Sequence, residues 1–187
     1  MKIILASASP RRRELMKMIT EDFTAVSADI DETVPQNVNT LEVSEYIAER
    51  KAKAVAEKYP DDVVIGCDTT VIYGSKIFGK PATHEDCTEV LEYLSGKTHQ
   101  VVTGCTIVQG NKTVSFSVVT DVSFRELSFD EIGDYAMTSE PYDKAGGYGI
   151  QGKGALFIEK INGDYYNVVG LPVCRLNQEL KKFLKEK

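Results

Sequence analysis

Ile3 to Ala6 is a short apolar run, followed closely by Ser9-Pro10. The run predicts a buried strand. Serine is a good N-cap and proline fits the first helical position, so the pair predicts a helix start. Phe23 to Ala28 alternates apolar and polar residues, the pattern of a second strand, and leads into the acidic loop Asp29-Ile30-Asp31-Glu32-Thr33-Val34-Pro35. From about Leu41 to Tyr59 the apolar positions Val43, Ile47 and Val55 predict a helix. Val63 to Tyr73 is a long β-branched strand with Gly66 and Asp68 inside it. Thr83 to Leu94 reads as a helix capped by Thr83 and stopped by Gly96. Gln100 to Val108 and Thr113 to Phe124 read as strands joined by a turn at Gln109-Gly110-Asn111-Lys112. Ser128 with Glu131 three residues on marks the capping box of a helix reaching Met137. Gly146-Gly147-Tyr148-Gly149 is a loop. Ala155 to Ile161 and Tyr165 to Val169 read as strands around the turn Asn162-Gly163-Asp164, and Pro172 to Lys185 as a closing helix. Interleaved strands and helices with a hairpin in the middle predict an α/β fold, a mixed twisted sheet flanked by helices.

Three positions break this pattern. Arg11, Arg12 and Arg13 fill the first turn of the first helix, where the macrodipole is already positive and backbone N–H groups lack partners. Cations there cost stability unless an anion sits on them, and a strand, a serine cap and arginines make a sensible phosphate cradle. Arg11 and Arg12 lie one turn before Leu15 and Met16 and so project near the apolar stripe, whereas Arg13 precedes Lys17. A solvated arginine run is the plainer alternative. Lys51 continues the spacing of Val43, Ile47 and Val55 and therefore sits on the apolar face. It either snorkels or points inward to pair with a carboxylate or phosphate. Asp68 interrupts a buried strand, which is costly unless the carboxylate is bonded, paired or on a metal. Such a position suits a general base or a metal ligand, and a structural aspartate bonded near Gly66 is the alternative.

Composition narrows the function classes. The 187 residues are 42% hydrophobic and 27% charged, an ordinary globular balance. Lys+Arg number 22 against 28 Asp+Glu, a formal net charge of -6. No overall positive field steers the protein to nucleic acid or an anionic membrane, so an anionic substrate must be held by a local basic cluster. Cys67, Cys87, Cys105 and Cys174 form no C-x-x-C pair and only two histidines could join them, which disfavours zinc and a disulfide framework. The apolar N-terminal run is too short for a signal peptide, and no stretch approaches the roughly 20 apolar residues of a membrane span. The expected setting is cytoplasmic.

No G-x-x-x-x-G-K-[ST], G-x-S-x-G or H-E-x-x-H motif occurs, which disfavours a P-loop enzyme, a serine hydrolase and a zincin. Ser7-Ala8-Ser9-Pro10-Arg11-Arg12, Gly66-Cys67-Asp68-Thr69, Gly79-Lys80-Pro81, Leu94-Ser95-Gly96-Lys97-Thr98-His99 and Asp143-Lys144-Ala145-Gly146-Gly147-Tyr148-Gly149-Ile150-Gln151-Gly152 occur in this order. Together with Ile161-Asn162-Gly163 and Val168-Val169-Gly170-Leu171-Pro172, they closely resemble the Maf family of nucleoside triphosphate pyrophosphatases. The Asp-Thr pair and the Gly-Ile-Gln-Gly segment resemble the subgroup acting on dTTP and UTP.

The resemblance implies a single domain over residues 1–187, Maf- and inosine-triphosphatase-like, in two lobes with an active-site cleft between them. It further implies a homodimer, a divalent metal cation (Mg or Mn), and a nucleotide substrate rather than nucleic acid or membrane. The implied reaction is hydrolysis between the α- and β-phosphates, with modified pyrimidine nucleotides as a further target. By the same resemblance Asp68 is the general base or a metal ligand and Glu32 a second metal ligand. Arg11, Arg12, Lys51 and Lys80 clamp the triphosphate, and Ser7 and Ser9 donate hydroxyl bonds. Arg11, Thr69 and Gln151 fall where the family selects its base. The alternative is a nucleotide-binding regulator of cell division or septum formation that does not turn its ligand over. The acidic cluster favours the enzyme, because binding a triphosphate alone would not want carboxylates beside the anion. RNA binding through Arg11 to Arg13 is disfavoured, since only one short basic cluster exists.

Overall fold

The structure is a computed structural model and describes residues 1–185. In chain order the elements are β1 (Ile3–Ala6), α1 (Pro10–Met16), β2 (Thr24–Ala25), α2 (Val43–Ala56), β3 (Val63–Tyr73), β4 (Lys76–Phe78) and α3 (His84–Leu94). Then follow β5 (Thr98–Gln109), β6 (Lys112–Phe124), α4 (Phe129–Ala136), β7 (Ile158–Asn162), α5 (Tyr165–Val169) and α6 (Val173–Lys185), with short 3-10 turns between several of them. The seven strands form one mixed sheet in the order β2-β1-β3-β5-β6-β7, with β4 paired to β3. β1 runs parallel to both β2 and β3, whereas β4 and β7 are antiparallel to their neighbours. The expected α/β mixed sheet flanked by helices is therefore the observed fold.

The chain separates into two compact units. The first holds Met1–Thr69, Thr103–Val118 and the chain from Gly170 onward; the second holds Thr70–Val102 and Val119–Val169. In the first, Ile4, Ala6, Ala52, Val55, Val64 and Val108 form a buried cluster between strands and α2. The second has the larger aromatic core, with Phe78, Phe124, Tyr135, Tyr148 and Phe157 packed against Leu91 and Leu94.

Local chemistry explains where elements begin. Ser9 caps α1, Thr83 caps α3 with Asp86 in a capping box, and Ser128 caps α4 with Glu131. Several segments differ from the sequence expectation. The strand expected from Ala155 begins only at Ile158, after a 3-10 turn over Lys153–Phe157. The second strand shrinks to Thr24–Ala25. The short β4 pairs back on β3 through a turn in which Gly74 takes a positive φ of 61°. Tyr165 to Val169, expected as a returning strand, is the helix α5. Asp164 causes that change: its carboxylate accepts from the Tyr166 N–H at 2.8 Å and starts a helical turn. Asn167 then buries its amide, donating to the Val101 carbonyl and the Thr120 hydroxyl, both at 2.9 Å.

One buried group in the second unit makes stability depend on pH. His99 is 1% exposed and lies edge-on to Phe124 and Tyr148. Its Nε2 is 2.6 Å from the Tyr148 hydroxyl, while Nδ1 finds no partner among the described residues. Burial drives its pKa down to about 4. The unfolded chain, near 6.5, takes up a proton that the folded protein refuses, so stability is full above 6.5 and falls as pH drops toward 4. At about 1.4 kcal/mol per pH unit the loss approaches 3 kcal/mol. Urea unfolding between pH 7 and 4 is expected to show this slope, and His99→Phe to flatten it. A slope unchanged by that substitution would assign the acid sensitivity elsewhere.

Candidate active site

The first unit gathers most of the residues singled out in the sequence. α1 starts immediately beyond β1, which presents the N-terminal N–H groups of the helix just past the end of the strand. The Ser7 hydroxyl oxygen accepts from the Ser9 N–H at 3.2 Å, and the Ser9 oxygen accepts from the Arg12 N–H at 3.4 Å. No acidic residue occupies the first turn. Arg12 meets its cationic crowding internally. Its Nε donates to the Gly170 carbonyl at 2.8 Å and its Nη2 to the Thr69 hydroxyl at 3.0 Å. Removing Arg12 would therefore break native bonds as well as relieve the helix end. Arg13 turns back to the Ala8 carbonyl and is exposed; Arg11 is half-buried. Thr69 also shares a 2.9 Å hydrogen bond with Thr103, so Arg12, Thr69 and Thr103 form one chain of polar contacts.

Beside this chain stands a charge cluster built by close packing of α2. Val43, Ile47 and Val55 are buried, and Lys51 lies along the same face with 12% of its side chain exposed. Its ammonium reaches Asp68 Oδ1 and Glu32 Oε1, each at 2.8 Å. Two glycines let the helix sit this low. A Cβ on Gly66 would lie 2.2 Å from the Ala48 carbonyl oxygen and 2.7 Å from the Ala52 nitrogen. One on Gly104 would lie 2.3 Å from the Glu45 nitrogen. Gly66 and Asp68 are two apart on β3 and so share a sheet face, which turns the carboxylate toward the lysine that the glycine admits.

The acidic loop is fixed from two sides. The Asp31 carboxylate accepts from the Thr33 N–H at 2.9 Å and its hydroxyl at 2.6 Å. The Thr33 hydroxyl above all holds the Asp31 carboxyl below its ordinary pKa. Arg50 grips the Thr33 carbonyl at 3.0 Å while its neighbour Lys51 takes Glu32. Asp31 thus shapes the loop, and Glu32 carries its charge to the site.

Glu32 and Asp68 bring two hard carboxylates to one point. Among the described residues no cluster of three or more His, Cys, Asp or Glu could hold a metal. That donor set suits Mg²⁺ or Mn²⁺, which take one or two carboxylates and leave their other positions to water and phosphate oxygens. It does not suit a four-ligand structural zinc site. Directly before Asp68, the Cys67 sulfur lies 3.4 Å from that of Cys105. Their hydrogen bond lowers the Cys67 pKa, while burial raises that of Cys105.

Lys80 and Gln151 belong to the second unit, and both are exposed. Lys80 follows β4, and the preceding Gly79 carbonyl accepts from the Gly146 N–H at 3.0 Å, tying its segment to the glycine-rich loop. Gln151 lies beyond that loop in a turn closed by the Gly152 N–H on the Gly149 carbonyl at 3.2 Å. The bonds that anchor Arg12, to Thr69 in the middle of β3 and to Gly170 just after α5, carry no local mark in the sequence.

Comparison with known proteins gives the chain its relatives. A dTTP/UTP pyrophosphatase of Bacillus cereus is 49% identical over 182 residues, covering 97% of this chain and 95% of the relative. A protein of the same name from Bacillus cytotoxicus is 48% identical over 182 residues with the same coverage. Among solved structures, the Ham1 protein of Staphylococcus aureus matches with a TM-score of 0.59 at 17% identity, covering 97% of this chain and 99% of that one. A HAM1 protein from Coxiella burnetii matches with a TM-score of 0.52 at 16% identity, over 96% and 98% of the two chains. These two likenesses are of fold. Residues 2–183 match the family described as Maf-like protein, and the chain belongs to the Maf family.

Proposed function

We propose that the protein hydrolyses nucleoside triphosphates, dTTP and UTP foremost, between the α- and β-phosphates. The products are a nucleoside monophosphate and pyrophosphate. The names carried by relatives 49% and 48% identical support the substrate class. The observation that carries the chemistry is the Asp68 carboxylate, held by Lys51 at 2.8 Å in the strand that also presents Thr69 to Arg12. A site that only bound triphosphate would gain nothing from a carboxylate there.

In this reading Asp68 accepts a proton from water as its oxygen adds to the α-phosphorus. The bond from that phosphorus to the bridging oxygen breaks, and pyrophosphate leaves with the electron pair. Lys51 holds Asp68 and Glu32 and keeps an ammonium hydrogen for a phosphate oxygen. Ser7 and Ser9, whose oxygens accept backbone N–H bonds, keep their own hydrogens to donate, and Arg11, Arg12 and Lys80 add positive charge along the triphosphate. A divalent cation held by Glu32 and Asp68 would supply further charge neutralisation on the phosphate oxygens. Arg11 and Thr69 help select the base, and Gln151 reads it. A glutamine amide offers both the donor and the acceptor that match the O4 and N3–H edge of uracil or thymine. Among the described residues no helix is long and apolar enough to cross a membrane. The family reading carries with it a homodimer in the cytoplasm, for which sedimentation of the purified protein is the check on the dimer.

The test is release of monophosphate and pyrophosphate from UTP, dTTP, CTP and GTP with Mg²⁺ or Mn²⁺. Both UTP and dTTP are expected to be cleaved, CTP less well, and GTP least. Gln151→Glu, which removes the N–H donor and adds a charge, is expected to lower kcat/KM for UTP while leaving pyrophosphate affinity little changed. Stoichiometric nucleotide binding without pyrophosphate release would replace this reading with the non-catalytic regulator.

A further inference from the structure

Glu140 has no part in the site as described, yet its carboxylate is engaged on both oxygens. Oε1 accepts from the Tyr135 hydroxyl at 3.0 Å and from the Gly154 N–H at 3.1 Å. Oε2 accepts from the Lys153 N–H at 2.9 Å. Burial raises the pKa of this carboxyl, but the Gly154 and Lys153 amides, the Tyr135 hydroxyl and Lys144 outweigh it and hold the group below its ordinary range. It is therefore an anion that organises backbone amides at neutral pH.

The chain it organises is the turn that carries Gln151. Both flanks of that turn wrap around Glu140 and its neighbours. A Cβ on Gly152 would lie 2.4 Å from each Glu140 oxygen. One on Gly149 would lie 2.7 Å from Lys144 Cε and 3.2 Å from Glu140 Oε1. One on Gly154 would lie 3.1 Å from the Tyr135 hydroxyl. Lys144 is itself anchored to the Glu140 carbonyl at 2.6 Å. The glycines at 149, 152 and 154 are thus the clearance that lets the backbone close on the carboxylate. Gln151 sits between the pinned flanks with its own side chain exposed.

We propose that Glu140 is the positioning residue for base selection: by fixing Gly149–Gly154 it places Gln151 at one position against the base. This rests on the reading of Gln151 as the group that meets the base edge. A glutamine on a loose turn can shift along the base edge and meet cytosine as readily as uracil, so selectivity requires that the turn hold its Cα at a fixed distance from that edge. Glu140 touches no reacting atom, and its effect is on which base is accepted.

The experiment compares wild type, Glu140→Gln, Tyr135→Phe and Gln151→Ala by kcat/KM for UTP and CTP, by pyrophosphate inhibition, and by amide hydrogen exchange at Lys153 and Gly154. Glu140→Gln sets an amide N–H₂ against a backbone N–H donor and loosens the turn. It is expected to speed exchange at both amides and to lower the UTP-to-CTP ratio by about tenfold, the value of one well-placed hydrogen bond. That ratio should match the one for Gln151→Ala, with pyrophosphate inhibition unchanged. Tyr135→Phe removes one bond to the carboxylate and is expected to shift the ratio the same way by less. It keeps the test decisive if Glu140→Gln does not fold, because an unchanged ratio in a folded Tyr135→Phe then overturns the proposal. An unchanged ratio in folded Glu140→Gln beside a lowered one in Gln151→Ala overturns it and leaves the reading of Gln151 intact. Equal loss on UTP and CTP reduces Glu140 to a structural role and overturns it too. An unchanged ratio in Gln151→Ala removes the reading of Gln151 itself, and the proposal falls with it.

Discussion

Asp68→Asn is expected to leave the fold and nucleotide affinity nearly intact while lowering turnover by about 10²-fold or more, the lower range for loss of a general base. Asparagine matches aspartate in shape, so β3 and the seat of α2 are undisturbed. Its amide cannot take the proton that water must lose, and it is a poorer partner for a hard cation. Single-turnover pyrophosphate release reads the chemical step, and titration of nucleotide in the absence of turnover reads affinity. A correctly folded Asp68→Asn enzyme with near-normal kcat would remove the residue from the reaction.

Lys51→Met strikes the same cluster from the other side and is expected to be the more damaging to stability. The methionine fits the apolar face of α2, so packing is largely kept. What is lost is the ammonium between two carboxylates, one of which, Asp68, has only 13% of its side chain exposed. An uncompensated buried charge of this kind costs about 3–5 kcal/mol. Water reaching the half-exposed Glu32 lowers that, and about 2–3 kcal/mol is the expectation here. Nucleotide affinity should fall as well, because the same ammonium serves the phosphates. Adding Asp68→Asn to Lys51→Met should recover part of the stability, since the stranded charge is then gone. Strictly additive destabilisation in urea unfolding of the two single variants and the double variant would mean the pair is not coupled.

What could be read from the sequence follows the range of the interaction. Ser9-Pro10, Thr83, and Ser128 with Glu131 act within one helical turn, and each helix begins where those residues put it. Val63–Tyr73 matches its strand residue for residue because it is long and rich in β-branched residues on both sides of Asp68. Tyr165–Val169 went the other way: five residues carry too little periodicity to separate strand from helix, and one bond from Asp164 decided it. In the site, the four-residue spacing of Val43, Ile47, Lys51 and Val55 marked the lysine as inward, and the apolar strand marked Asp68 as anomalous. Their 2.8 Å contact joins those two marks. Glu32 was marked over Asp31 by the family resemblance alone, because the physical difference between them depends on Asp31 turning to Thr33. The internal anchoring of Arg12 was not legible, because its carbonyl partner Gly170 lies 158 residues away. Glu140 gives no sign of its role in a linear reading, since its amide partners follow by 13 and 14 residues across a loop without periodicity.

The low seat of α2 on Gly66 and Gly104 limits how this protein can be made more robust. Replacing a strand glycine normally offers an engineer a simple gain, because a side chain narrows the freedom of the unfolded chain. At these two positions that route is closed. Any side chain pushes the helix away from the sheet, and the helix carries the lysine that pairs with the buried carboxylate and orients it. Thermal tolerance and catalytic competence are therefore not in competition at these sites, as they are in many enzymes; they rise or fall together. A library screened for heat resistance should return glycine at both positions without any selection for activity, and its useful substitutions should fall elsewhere in the chain.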